Sequence, residues 1–506
     1  MTVLVLGDQL VRGAGPLASR PDDRALLIEA TAFARRLPYH PHKLTLVFSA
    51  MAHAREELRN AGRPVDYRRV ETFEAGIREH FADHPGDELH VMRPASHGAV
   101  ERLETLISRH GGSLVVHDNA KFLMSPEAFD EWAGEDLPRH EDFYRHVRRE
   151  TGYLMADGDP VGGEWNLDEQ NRKPVPADYD PPEPPRFEPD DLTRETSRRV
   201  RETFDGGYAT PPYGGGWADP DPFRWPVTRE EGLAALEDFV THRLAAFGPY
   251  QDALADDRWA NHHSLLAVSL NLGLLRPGEV VARAIAAGTD DSDVPLSSLE
   301  GFVRQVIGWR EFVRHAYRRR MPALADANQL GADRPLPSLY WTGETEMRCL
   351  DRAVEGVRRR GYAHHIQRLM VMSNFALLYG ADPAAVNRWF HAGFVDAFHW
   401  VTAPNVLSMG LYADDALATK PYAASANYVD RMGDHCAGCP YDPDETLGAD
   451  ACPFNALYWD FLDRNEDRLR SNHRMALVYA HLDDKDREAM RERAADVRRG
   501  VAAGEL

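Results

Sequence analysis

The sequence predicts two unlike halves: an N-terminal α/β domain on a doubly wound parallel sheet, and an all-helical C-terminal domain, joined by a long linker. Three observations carry this. Strand-like and helix-like segments alternate through about residue 130, which is the pattern of a parallel sheet with crossover helices. Proline and glycine crowd residues 131–225, as in irregular connectors. From about residue 226 to 506 the apolar residues recur at helical spacing.

Taken in order, TVLVLG, ALLIEA, LTLVFS, PVDYRRV, ELHVMRP and SLVVHD read as short buried strands, because each is a brief β-branched or apolar run bounded by polar residues. AMAHAREELRNAG, FEAGIREHFADH and HGAVERLETLISRHG read as the helices between them. Gly7-Asp8-Gln9 falls at the carboxyl end of the first strand, where such sheets bind ligands, but no GxGxxG follows, so ordinary dinucleotide binding is disfavoured. The connector (DPVGGEWN, PVPADYDPPEPPRFEPDD, PPYGGGWADPDPF) reads as irregular and surface-lying, with one helix in HEDFYRHVRRETGYLM. The last part reads as helices such as REEGLAALEDFVTHRLAAFG, SLEGFVRQVIGWREFVRHAYRRR and DPAAVNRWFHAGFVDAFHWV.

No window approaches twenty uninterrupted apolar residues, and the first residues form a strand rather than a signal core, so a cytoplasmic protein without a membrane span is expected. The net charge of −21 opposes binding to a polyanion. Arginine nevertheless gathers in Arg318–Arg320, Arg358–Arg360 and Arg464–Arg474, which are either solvated helix faces or a basic face on an acidic body.

The four cysteines are Cys349, Cys436, Cys439 and Cys452, all in the C-terminal third. Four thiolates suit Zn²⁺ or an iron–sulfur cluster; disulfides fit poorly in a chain with no secretory character. A zinc ribbon offers two CxxC pairs and this chain has one, while Pro453 directly after the last cysteine recurs at iron–sulfur sites, so a 4Fe–4S cluster is the favoured reading. The helical part also carries polar and aromatic residues at helical spacing. Gln305 precedes Gly308-Trp309-Arg310-Glu311; His365 and Arg368 share a helix face; Asp396 is the candidate carboxylate for Arg368. Such a set reads as a cofactor pocket or as a core with buried ion pairs.

With these residues in place the chain resembles photolyases and cryptochromes, and within them the bacterial iron–sulfur subgroup, the prokaryotic 6-4 photolyases. The resemblance runs along essentially the whole chain. It rests on Gly7-Asp8-Gln9-Leu10, Asn261-His262-His263-Ser264-Leu265-Leu266, Gly308-Trp309-Arg310-Glu311, His364 through Met370, Lys420-Pro421-Tyr422-Ala423, Cys452 through Trp459 and Ser471-Asn472-His473-Arg474.

The resemblance implies FAD as cofactor, with Ser264, Leu265, Leu266 and Ala267 cradling its diphosphate and Gln305, Trp309, Arg310, Arg368, Asp396 and Asn405 completing the site. It implies His365 as the active-site histidine, His364 as its fallback, and Tyr422 and Tyr428 as lesion-pocket tyrosines. Trp389 and Trp341 occupy the family's electron-relay positions, with Phe390 where a tyrosine is common and Trp400 and Trp309 as alternative hops. The four cysteines take the family's cluster positions. Asp8, Gln9 and Glu29 are the implied contacts of a second chromophore, 6,7-dimethyl-8-ribityllumazine, although an apolar Phe33 stands where relatives can place a glutamate. Thr402 stands where some relatives have an acidic residue at the flavin edge. The implied activity is light-dependent repair of 6-4 photoproducts by a monomer acting on UV-damaged DNA. The rival readings are a blue-light photoreceptor on the same scaffold and a flavin-free nucleic-acid-binding protein with a structural cluster.

Overall fold

The computed structural model describes residues 1–204, 216–290 and 293–506. Part of the glycine-rich stretch PPYGGG lies outside the described residues. Five parallel strands, β1 (Thr2–Val5), β2 (Arg24–Ala30), β3 (Val65–Val70), β4 (Glu88–Met92) and β5 (Ser113–His117), form one sheet in the order β3-β2-β1-β4-β5. The order turns back at β1, which makes the sheet doubly wound. Alternation decides which face each side chain serves. Val3, Val5, Ala25 and Leu27 face the helical half of the molecule. Leu4, Leu26, Ile28, Leu89 and Val91 face a separate core with Ile77, Phe81, Leu103 and Ile107. Those four come from α2 (Phe73–Asp83) and α3 (Ala99–Arg109).

The segment LTLVFS is not a strand. It lies inside α1 (Pro41–Asn60), a 20-residue helix. Pro41 sits at the first turn, where its missing N–H costs nothing, and the His40 ring accepts from His42 N at 3.0 Å. The run looked like a strand because this helix is buried on nearly every side, so helical period gives way to continuous apolarity. Leu44, Phe48 and Met51 join the sheet face to Val268, Leu272, Ala392 and Val395 of the C-terminal half.

Among the described residues the connector holds two α-helices rather than one. The expected helix is α4 (His140–Thr151). The unexpected one is α5 (Asp191–Phe204), capped where Thr193 N donates to Asp190 Oδ1 at 2.8 Å. Neither is a surface wrapping. Phe143, Tyr144 and Val147 of α4 are fully buried against Val306, Ile307 and Phe312. Gly308 permits this approach, since a Cβ there would lie 3.0 Å from the Tyr144 ring.

The C-terminal half is helical, as its periodicity predicts, but among the described residues three of its helices contain π-helical stretches: Arg304–Trp309, Gln367–Ser373 and Pro404–Gly410. No helix among the described residues is long and apolar enough to cross a membrane.

Candidate active site

The three π-helical stretches converge. Extra residues in a helical turn re-aim side chains, and such turns recur at functional sites. Here Gln305, Val306 and Trp309 from the first, Arg368, Leu369 and Ser373 from the second, and Asn405, Val406 and Met409 from the third line one cavity of about 310 Å³. That is within the range for small-molecule sites. Ser264, Leu265, Leu266, Ala267, Arg310 and Asp396 line it too, so all ten residues expected around a cofactor meet at one place.

The loop that enters the cavity is conformationally unusual. Leu265 has φ +60° and Asn261 φ +46°, left-handed values rare for non-glycine residues. Such strain collects at ligand sites. Ser264 Oγ accepts from Leu266 N at 3.3 Å, which tightens the turn.

Arg368 meets Asp396 as a fork, Nη1 to Oδ1 at 3.1 Å and Nη2 to Oδ2 at 3.0 Å. Its Nε donates to Ala363 O at 2.6 Å, and its guanidinium lies 4.2 Å over the Phe394 ring. Trp309 Nε1 donates to Asn405 Oδ1 at 3.0 Å, so two expected cofactor residues fix one another. Burial pulls the Arg310 guanidinium down to about 10, with Glu311 opposing. Three buried polar atoms of the lining residues have no protein partner: Asn271 Oδ1, Arg310 Nε and His263 Nε2. Buried polar groups are normally satisfied, so this wall is built to receive polar atoms of something else.

The α/β half reaches the same wall through two of the chain's five lysines, both fully buried. Lys121 donates to Asp8 Oδ2 at 2.8 Å and Asn271 O at 3.1 Å. Lys43 donates to His391 O at 2.5 Å and Ala397 O at 2.6 Å, beside Asp396. Sequence reasoning missed both. Their scarcity in an arginine-rich chain was the available signal.

His365 lines the cavity with its side chain 49% exposed, and its Nε2 lies 3.4 Å from Asp252 Oδ1. His364 does not line the cavity; it is fully buried, stacked on His263 at 4.9 Å. Burial, followed by the neighbouring histidines, drives both His263 and His364 well below the usual imidazole range, so both are neutral at pH 7. Tyr428 shares Asp252 with His365. Its hydroxyl is pushed up by burial and then by that carboxylate, and it remains protonated. Tyr422 is 43% exposed.

Trp389 is fully buried and does not line the cavity; Phe390 and Phe394 do. Behind them Trp389 packs on Phe390 at 5.1 Å and on Tyr340 at 5.0 Å, with its Nε1 donating to Tyr340 O at 2.9 Å. Trp341 follows Tyr340 on the same short helix and packs on Trp217 at 5.1 Å. Tyr340 and Trp217 are therefore oxidisable rings on this line that the sequence reading did not name. Trp400 is buried against Phe122 and the Arg310 guanidinium.

Cys349, Cys436, Cys439 and Cys452 line one small pocket with Met347, Tyr441 and Phe454. Cys349 lies in the first turn of the helix Arg348–Arg360, and Cys452 caps Pro453–Arg464 with Pro453 in the first turn. Burial and the other thiols raise the Cys349 thiol well above its usual range. The Cys436 and Cys452 thiols are pushed up to about 12, burial again the largest cause. Ionising Cys349, Cys436 and Cys452 in this setting calls for a cation beside them. Among the described residues no three of these sulfurs lie within 4.8 Å of one another. One Zn²⁺ with bonds of ~2.3 Å would hold its sulfurs about 3.8 Å apart.

The antenna expectation finds less support in the geometry. Glu29 is buried and accepts from Tyr67 Oη at 2.9 Å and from Arg199 of α5. Asp8 is held by Lys121. Gln9 Nε2 donates to Met92 O at 2.8 Å, leaving its Oε1 without a partner. Phe33 is exposed under Arg36. Both carboxylates thus have partners within the chain, and the Gln9 Oε1 is the buried acceptor left without one.

Arginines of these runs form ion pairs within the chain, several of them on partly exposed side chains. Arg318 and Arg319 pair with Asp130, Arg320 with Asp414, Arg359 with Glu355, Arg464 with Asp460, and Arg470 with Glu466 and Asp483. Arg474 donates to Thr419 Oγ1.

The family model described as deoxyribodipyrimidine photo-lyase-related protein matches residues 3–210. A (6-4) photolyase of Agrobacterium fabrum is 40% identical over 506 residues, covering 97% of this chain and 98% of its own. Among solved structures, a bacterial class III photolyase from Agrobacterium tumefaciens superposes with TM-score 0.58 at 15% identity, over 99% of this chain and 96% of that one. A Synechocystis cryptochrome gives TM-score 0.56 at 15% identity, over 85% and 88%. These two likenesses concern the fold.

Proposed function

Because the chain belongs to the photolyase–cryptochrome family, we propose that it is a light-dependent photolyase that reverses 6-4 photoproducts in DNA, with FAD in the large cavity and a 4Fe–4S cluster at the four cysteines. The observation that carries the reading is that His365 lines the same cavity as the Arg368–Asp396 fork. The partnerless Asn271, Arg310 and His263 atoms and the left-handed Leu265 suit a polar ligand of FAD's kind. Held there, reduced FAD would lend one electron to the lesion on blue-light excitation and take it back once the two pyrimidines are restored.

The chain's own part is positioning and proton handling. Arg368 and Asp396 fix the wall, and Trp309 with Asn405 braces it. His365 gives a proton to the lesion and retrieves it, a task suited to an imidazole near neutral pH. Asp252 lies 3.4 Å from that ring and orients it. His364, neutral and buried, takes no part in the transfer. Tyr428 keeps its proton and serves as a donor beside the lesion. The damaged bases leave the duplex to reach the cavity, since stacked bases are inaccessible. Cys349, Cys436, Cys439 and Cys452 would hold the cluster, which ties three separate segments together. The protein acts as a cytoplasmic monomer.

Protein purified without oxygen tests this: it should show flavin absorption and contain iron and sulfide, and it should remove the 6-4 lesion from an oligonucleotide in blue light and not in the dark. One observation favours the photoreceptor reading, namely that arginines of these runs, though partly exposed, are paired with acidic residues of the same chain. Light-driven flavin reduction without lesion removal would decide for it.

A further inference from the structure

Far from the cavity, on the sheet's β3 side, Asp66 of β3, His80 of α2 and His84 just past that helix place one ligand atom each within 4.8 Å of one another. We infer that these three residues form a binding site for a divalent transition-metal ion, Zn²⁺ being the chemistry they fit.

Two histidines at i and i+4 on one helix are a recurrent zinc pair, because that spacing brings both rings to one face. His84 is the residue just past the helix, four positions after His80, and its ring still lies beside that of His80, with centroids 5.0 Å apart at an interplanar angle of 53°. Asp66 Oδ2 lies 2.9 Å from His80 Nδ1. In a tetrahedral zinc site an oxygen and a nitrogen ligand stand about 3.4 Å apart, so a small outward shift admits the ion.

The surroundings match what a metal-bound histidine requires. Such a ring donates its other N–H to a carboxylate, which fixes its orientation. His80 Nε2 is 3.2 Å from Asp87 Oδ2. Asp87 is in turn held by Thr2 Oγ1 at 2.6 Å and by the N-terminal amine at 3.0 Å. Two imidazoles and one carboxylate leave a fourth position to water. Arg68 bonds Asp66 Oδ2, and it keeps Asp83 and Glu79 as partners when Asp66 turns to the ion. On binding, the His80 Nδ1 proton is released to solvent and the ion takes its place. The ion would tie β3, the end of α2 and, through Asp87, the N-terminus of the chain.

The other histidine trio, His263, His364 and His365, is not equivalent. The His263 and His364 rings stack 12° from parallel, so their in-plane lone pairs do not meet at one ion.

The test is calorimetric titration of ZnCl₂ into purified holoprotein freed of loose metal by chelation and desalting. Wild type should take up one Zn²⁺ per chain. His84→Ala and Asp66→Asn should lose that site while keeping their flavin absorption, Asp87→Asn should weaken it ~10–100-fold, and His365→Ala should leave it intact. The proposal falls if wild type binds no Zn²⁺, if His84→Ala or Asp66→Asn binds as wild type does, or if the site disappears in His365→Ala.

Discussion

Replacing Arg368 with methionine keeps an unbranched apolar stem and removes the guanidinium with its charge. Three hydrogen bonds go with it, two to Asp396 and one to Ala363 O, together with the contact over Phe394. Asp396 is then a nearly buried carboxylate that has lost its fork. Breaking a buried ion pair by removing one partner typically costs ~3–5 kcal/mol. Arg368 is 26% exposed, so solvent screens part of this. A cost of ~2–3 kcal/mol is therefore expected. If the fork shapes the flavin wall, that energy appears as roughly 30- to 150-fold weaker FAD binding. The assay is fluorescence titration of FAD into flavin-depleted protein. The double variant Arg368→Met/Asp396→Asn should bind better than the sum of its single losses predicts, because the stranded carboxylate is gone. Wild-type affinity in a folded Arg368→Met, or strict additivity in the double variant, would refute the reasoning.

Trp389→Phe should reduce blue-light flavin reduction to near the dark rate, and Tyr340→Phe should slow it less; unchanged kinetics in Trp389→Phe would move the route elsewhere, Trp400 being the next ring to test. Cys439→Ser should lose iron and sulfide together and melt at a lower temperature, because the binding free energy of a metal site is also folding free energy; a cluster-free variant as stable as wild type would contradict this. Lys43 gives a pH test. Burial lowers its ammonium to about 7, Asp396 opposing, against 10.5 for a free lysine. The unfolded chain therefore binds more protons through that window, and stability should rise with pH from about 7 by up to ~1.4 kcal/mol per unit. Lys43→Met should lack that slope in urea unfolding at about pH 7 to 9, and parallel curves would count against it.

Much of this was legible in sequence, and the failures have physical causes. The strands were readable because alternating residues serve two different cores, as with Val3 and Leu4. Leu44–Ser49 misled because a helix buried all round shows no polar face. The residues around the cavity were readable through resemblance, since local motifs carry them. The π-helical turns that aim those residues were not, because one extra residue per turn barely alters the apolar period. Glu29 looked available for a ligand; Arg199, distant in sequence on an unexpected helix, captures it. The arginine runs looked like a basic face, since their acidic partners, such as Asp130 and Asp414, come from remote segments.

The most direct test of the central claim is the rate of 6-4 lesion reversal by wild type and His365→Ala, measured side by side under blue light with fully reduced flavin and saturating lesion DNA. His365 stands half-exposed at the cavity, held by Asp252 and outside the structural core. Its loss should leave flavin, cluster and DNA binding intact. Wild type should restore the two pyrimidines, and His365→Ala should do so ~10²–10⁴-fold more slowly, the usual worth of general acid–base help. Equal rates in the two proteins, or no reversal by wild type despite bound lesion and photoreducible flavin, would contradict the account.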